Sequence, residues 1–292
     1  MSDSAHTSTD ATEQQVAAKA AKQGKQAQHK DHFSDHGWRI SHTKQEAEWR
    51  NAQDAGWLVR IGTRLLHFVE RQIARSSRVG TVPVFDREQF PWVREIESKT
   101  DAIRAELDAI LHRRDELPNF QDVTPGVDAI NQDNNWKTWF FFGYGVRIEQ
   151  NCAACPETTR ILQQIPGMKT AFFSILAPGK HIPEHFGPYN GVLRYHLGLQ
   201  VPKQAEHCRI RVHDQIYHWK TGESLIFDDT YNHEVWNDTD EQRVVLFVDF
   251  VRPCRWPGRF FNWCVLTIAA SLPMLKTARK QHLQWEKSFF AK

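Results

Sequence analysis

Between residues 172 and 251 the chain is cut into short apolar segments by turn chemistry, and this punctuation limits the fold more than any other feature. Residues 171–176, 191–201, 208–212, 217–219, 224–227, 233–236 and 243–251 are rich in branched and aromatic residues. Pro178-Gly179, Gly187-Pro188, Thr221-Gly222, Asp228-Asp229 and Asn237-Asp238 separate them. Short strands at spacings of roughly 8–12 residues predict a β-sandwich or closed barrel, the jelly roll included.

Side chains alternate faces along a strand, so each segment can be sorted into two sides. In 191–201, Leu193, Tyr195, Leu197 and Leu199 share one side, while Val192, Arg194, His196 and Gly198 share the other. In 243–251, Val244, Leu246, Val248 and Phe250 oppose Arg243, Val245, Phe247 and Asp249. An apolar side packs on a core, so the side bearing Arg194 and His196 must look into a cavity that accepts charge.

Seven of the fifteen histidines fall between His181 and His233. Two of them head short motifs, His185-Phe-Gly-Pro and His233-Glu-Val-Trp, and each is followed by an arginine, Arg194 or Arg243. Imidazole suits iron(II), and an oxygenase leaves coordination positions open for O2 and a cosubstrate. A guanidinium fork holds a carboxylate through paired hydrogen bonds. Together these parts suit 2-oxoglutarate, a small dicarboxylate that can chelate iron and meet an arginine. Asp229, four residues before His233, reads as a loop-capping residue. The isolated Cys152-Ala-Ala-Cys155 has no second pair to complete a zinc site and reads as structural.

The run from His185-Phe-Gly-Pro-Tyr-Asn-Gly-Val-Leu-Arg-Tyr-His-Leu-Gly-Leu to Asp228-Asp-Thr-Tyr-Asn-His-Glu-Val-Trp-Asn resembles the aspartyl/asparaginyl β-hydroxylase family. The resemblance spans roughly residues 117–253. It implies a mainly β fold with flanking helices, a double-stranded β-helix of jelly-roll or cupin-like form. It also implies a dioxygenase using iron(II), with 2-oxoglutarate and O2 as cosubstrates. His185 and His233 would then be the metal ligands and catalytic residues. Ser174, Arg194, His196 and Arg243 would contact 2-oxoglutarate. Where the commoner facial triad carries Asp or Glu, this chain has Gly187, which leaves a position that water would fill.

The flanks bear on the substrate. Residues 1–40 are polar and are expected to be a disordered tail. Residues 41–80 form a basic amphipathic helical region, with Arg60, Arg64, Arg71, Arg75 and Arg78 against the acid Glu70 between 57 and 78. Residues 81–253 are assigned to the dioxygenase domain, with 90–111 read as one covering helix. Residues 254–292 read as a basic, apolar C-terminal helix associated with a membrane. Its longest apolar run, 260–275, is shorter than the ~20 residues a spanning helix needs.

With a net charge of +2, no nucleic-acid partner is expected. No signal-like apolar run occupies the N-terminus, so the expected location is cytoplasmic, peripheral on the inner face of the cytoplasmic membrane. The expected substrate is an acyl chain of a membrane lipid of lipid A type, with contact to an anionic membrane surface. The alternatives are an Asp or Asn side chain in a peptide, or a non-catalytic barrel that binds a metal or a small acid.

Overall fold

The computed structural model describes residues 57–291, apart from 125–126, 128–129, 144–145 and 272. The expected tail over 1–40, and the start of the basic region at 41–56, lie outside the described residues. Eleven strands occur among the described residues. They begin with β1 (Val84–Phe85), β2 (Trp136–Gly143), β3 (Val146–Arg147), β4 (Met168–Leu176), β5 (His181–His185) and β6 (Val192–Gln200). They continue with β7 (Cys208–Val212), β8 (Gln215–His218), β9 (Ser224–Phe227), β10 (His233–Asn237) and β11 (Arg243–Val251). A seven-stranded sheet has the order β1-β9-β6-β11-β4-β2-β3, and a four-stranded sheet the order β5-β10-β7-β8. The strand pairs are antiparallel throughout, for example β11 between β4 and β6.

The period-two sorting holds on both long strands. Leu193, Tyr195, Leu197 and Leu199, with Val244, Leu246, Val248 and Phe250, pack against helical residues such as Ile96, Ile103, Leu107 and Ile161. The opposite side meets the four-stranded sheet. There Phe172, Val245 and Phe247 share a core with Ile182, Ile210, Val212 and Val235. The larger sheet therefore packs apolar residues on both faces, with charged and polar side chains set among those of the inter-sheet side, while the smaller one has a polar outer face. Glu184 and Glu234 both pair with Arg211, and Trp236 lies half-buried beside the Arg209 guanidinium and the His181 ring. Trp236 is thus a surface-facing aromatic.

Helices cover the outer side of the larger sheet. The stretch expected as one helix over 90–111 is divided into Val93–Glu97 and Thr100–Leu111. Lys99 N–H closes a tight turn on Ile96 O, and the Glu97 carboxylate is drawn out to the Ser224 N–H and Arg87. The C-terminal region likewise divides, into helices Gly258–Ala270 and Pro273–Phe290. The second is fastened to the domain. Phe289 is buried in the helix-side core, and Trp285 Nε1 donates to Glu116 O at 3.0 Å. The first packs against the Trp57–Ser76 helix, through Phe68 and Phe261. No helix among the described residues is long and apolar enough to cross a membrane. Cys152 and Cys155 are buried in the helix-side core, and burial pushes both thiols up, away from the thiolate that a metal would need.

Candidate active site

The antiparallel pairing of β5 and β10 sets His185 directly opposite His233. Their rings approach to 4.1 Å between centroids. Each Nδ1 faces a main-chain carbonyl two residues earlier, Pro183 O at 2.8 Å from His185 and Tyr231 O at 2.9 Å from His233. A carbonyl only accepts, so Nδ1 must carry the hydrogen and Nε2 keeps the lone pair on both rings. His233 is buried. Desolvation, reinforced by His185 and Arg194, holds its pKa well below the usual histidine value, so the ring is neutral as coordination requires. No group of three His, Cys, Asp or Glu suited to a metal occurs among the described residues.

The larger sheet supplies the facing residues. Arg194 pairs with Asp249 across β6 and β11 and bonds it at 3.0 and 3.3 Å. A third contact runs from Arg194 to Asp229 Oδ2 at 2.8 Å. Asp229 is buried, and desolvation raises its carboxyl pKa against the lowering effect of Arg194. A Cβ built at Gly187 would overlap this carboxylate. The space where a His-x-Asp motif would put its acid is therefore filled by Asp229, reaching in from the loop before β10. Turn capping falls to its neighbour: Asp228 Oδ1 accepts from Thr230 N–H at 3.1 Å and from Thr230 Oγ1 at 2.6 Å. Asp229 and Asp249 are the polar residues that sequence reasoning left without a site role. For Asp229 the sequence offers only a glycine at 187 and a second acid beside Asp228, which does not say where that acid points.

His196, Ser174 and Arg243 line the same inter-sheet side. His196 is buried among Trp219, Phe227 and Phe247, and among the described residues neither ring nitrogen has a partner. Desolvation, then Arg243 and Arg194, holds its pKa well below the usual value. Ser174 Oγ accepts from Trp136 Nε1 at 3.0 Å and lies 3.4 Å from Arg243 Nη1. Arg243 is buried, with its guanidinium 4.5 Å from the Trp219 ring. Burial lowers its pKa to about 10, so it remains a cation at neutral pH. Among the described residues no carboxylate pairs with it, and its Nε has no acceptor. An uncompensated buried cation costs several kcal/mol. The donor set therefore fits a carboxylate ligand, and the two anchored imidazoles fit a metal that prefers nitrogen.

These features define a jelly-roll protein with two paired histidines and two arginines inside the barrel. The Aspartyl/Asparaginyl beta-hydroxylase family model matches residues 97–253, and the chain belongs to this family of hydroxylases. It is 49% identical over 234 residues to an ornithine lipid ester-linked acyl 2-hydroxylase of Rhizobium tropici, covering 80% of this chain and 83% of that protein. It is also 33% identical over 166 residues to the human aspartyl/asparaginyl beta-hydroxylase, covering 55% of this chain and 21% of the human protein. Among solved structures, a Pseudomonas putida prolyl-4-hydroxylase aligns with a TM-score of 0.35 at 18% identity, over 55% of this chain and 99% of that one.

Proposed function

We propose that this chain is an iron(II)- and 2-oxoglutarate-dependent hydroxylase acting on the ester-linked acyl chain of an ornithine lipid. The observation that carries the cosubstrate is Arg243, a buried cation without a carboxylate partner among the described residues, beside the unpartnered His196. Support for the substrate comes from the Rhizobium tropici relative, whose similarity extends over most of both chains. This choice replaces the lipid A type of substrate with another acylated membrane lipid.

Bound iron(II), with 2-oxoglutarate and O2, would supply the oxidation of an unactivated C–H bond. His185 and His233 would hold the metal through Nε2, their rings fixed by the carbonyls of Pro183 and Tyr231. Arg243 and Ser174 would receive the far carboxylate of 2-oxoglutarate, with His196 contributing a neutral ring nitrogen. Arg194 has its charge balanced by Asp249 and Asp229, so it would keep the Asp229 carboxylate aimed into the space above Gly187. The aromatic walls of Phe172, Phe227 and Phe247 would exclude water from this end of the cavity.

The test supplies purified protein with iron(II), 2-oxoglutarate and ornithine lipid, and follows both products. The expected result is succinate together with one added oxygen on the ester-linked acyl chain. Oxygen added to an Asp or Asn side chain of a peptide, with the lipid untouched, would move the substrate to the peptide class. Absence of succinate with either substrate, in protein shown to bind iron, would remove the dioxygenase reading.

A further inference from the structure

The Trp57–Ser76 and Gly258–Ala270 helices lie side by side on the domain. Their inner sides, Val69, Ile73, Phe261 and Val265, close a small core with Tyr189 and Cys254. Their outer sides are apolar as well. Leu65 is 61% exposed, Trp263 63%, and Trp256, in the turn leading into the second helix, 80%. Eight of the twelve exposed large hydrophobic side chains among the described residues lie on these two helices or that turn. Scattered surface hydrophobics are ordinary, but a contiguous patch marks a surface meant to be covered.

Charge selects what covers it. Arg60, Arg64, Arg75, Arg255 and Arg259 are exposed around the patch. The one acid on either helix is Glu70; it is buried, and desolvation raises its carboxyl pKa to about 8. A second copy of the chain would set these arginines against themselves across a two-fold interface. An anionic bilayer meets both needs, since basic side chains approach phosphate headgroups while Trp, Phe and Leu enter the acyl boundary. At about 1.5 Å per residue the second helix is too short to span the ~30 Å hydrocarbon core.

The patch is tied to the site by hydrogen bonds. Tyr189 Oη donates to Asn262 Oδ1 at 3.1 Å, and Asn262 Nδ2 donates to Gly191 O at 2.7 Å. Asn190 Nδ2 donates to Glu70 O at 3.0 Å. The loop that follows His185 is thus fastened to both helices.

We propose that the outer face of the Trp57–Ser76 and Gly258–Ala270 helices is a docking surface for an anionic lipid bilayer, which brings the loop after His185 to the lipid interface. The inference deepens the acyl-lipid reading, but binding to vesicles tests it without turnover.

The experiment is flotation of the purified full chain with vesicles of phosphatidylcholine, alone or mixed with phosphatidylglycerol. The protein is expected to float with the anionic vesicles, less as salt is raised. Phe260→Asp with Trp263→Asp should weaken flotation by about tenfold or more. Arg60→Glu with Arg64→Glu should weaken it by about tenfold. Ile216→Asp, an exposed apolar position on β8, should leave it unchanged. Phe260→Ser with Trp263→Ser, checked for an unaltered melting curve, guards against a folding defect. With these variants, hydroxylation of detergent-dispersed lipid should stay within about twofold of the parent, while hydroxylation of vesicle lipid falls about tenfold. The proposal is overturned if the parent chain stays with the soluble fraction, if the substituted chains float as the parent does, or if the same substitutions dissolve a dimer instead. Flotation without hydroxylation of any lipid would uphold docking and sink the acyl-lipid reading.

Discussion

Arg194 and Arg243 enter the space between the sheets from adjacent strands, and their surroundings differ sharply. Arg194 meets Asp249 and Asp229, so its charge is balanced by the chain itself. Arg243 meets a serine hydroxyl, the Cys208 thiol and an indole face, and among the described residues no carboxylate pairs with it. Both are held by packing; only one is compensated. The contrast assigns different work to two residues that the sequence treats alike. The balanced arginine holds the Asp229 carboxylate in the space above Gly187. The unbalanced one is poised for an anion that the protein does not provide.

Substitutions can break this contrast, the largest effect being expected at the metal end. His233→Ala should lower lipid hydroxylation by three orders of magnitude or more, about 4 kcal/mol in the barrier. Iron content should fall with it, read by metal analysis after gel filtration. Arg194→Met leaves the buried Asp229 and the part-buried Asp249 without their guanidinium partner, and should destabilise the fold by about 3–5 kcal/mol in urea unfolding. Arg243→Met should act in the opposite direction. It removes an uncompensated buried charge, so the ligand-free protein should gain about 1–3 kcal/mol while losing any stabilisation by added 2-oxoglutarate.

The smallest effect concerns a buried histidine outside the cavity. His282, on the buried side of the C-terminal helix, has its pKa lowered to about 4 by burial. Its folded pKa lies below the unfolded value near 6.5, so its contribution is fully present above that value and is lost as the pH falls toward 4. His196 and His233 are shifted the same way, and they add to the same loss. Replacing His282 with Phe should therefore recover only part of it, roughly 1–2 kcal/mol at pH 5, read from denaturation at pH 5 and 7.5.

Much of this architecture was legible in the chain. Segments 208–212, 224–227 and 243–251 emerge with the bounds that turn chemistry suggested, because each is a short apolar run closed on both sides. Strand alternation grouped Arg194 with His196 and Arg243 with Asp249, and it turned the first pair toward a cavity; that Arg243 also lies on the inter-sheet side is seen only in the folded chain. β5 was harder to see: Pro183 lies inside it and its burial alternates weakly, which suits the edge of a small sheet. The break at Ser98 and Lys99 was hidden because the apolar stripe runs through it; the folded chain shows the turn closed by Lys99 N–H on Ile96 O and by Thr100 Oγ1 on Glu97 O. The roles of Asp229 and Asp249 were hidden as well. Spacing from His233 says nothing of Arg194, and only the folded chain shows that Asp229 takes up the space above Gly187.

The central claim is that Arg243, rather than Arg194, receives the cosubstrate's far carboxylate. The most direct measurement is the affinity of 2-oxoglutarate for the iron(II)-loaded parent and for Arg243→Lys, by anaerobic titration calorimetry with iron content checked in both. A lysine keeps the charge but loses the paired geometry, so binding should weaken by about 10–100-fold with iron content unchanged. Equal affinity in the two proteins would contradict it and would place the carboxylate elsewhere in the cavity.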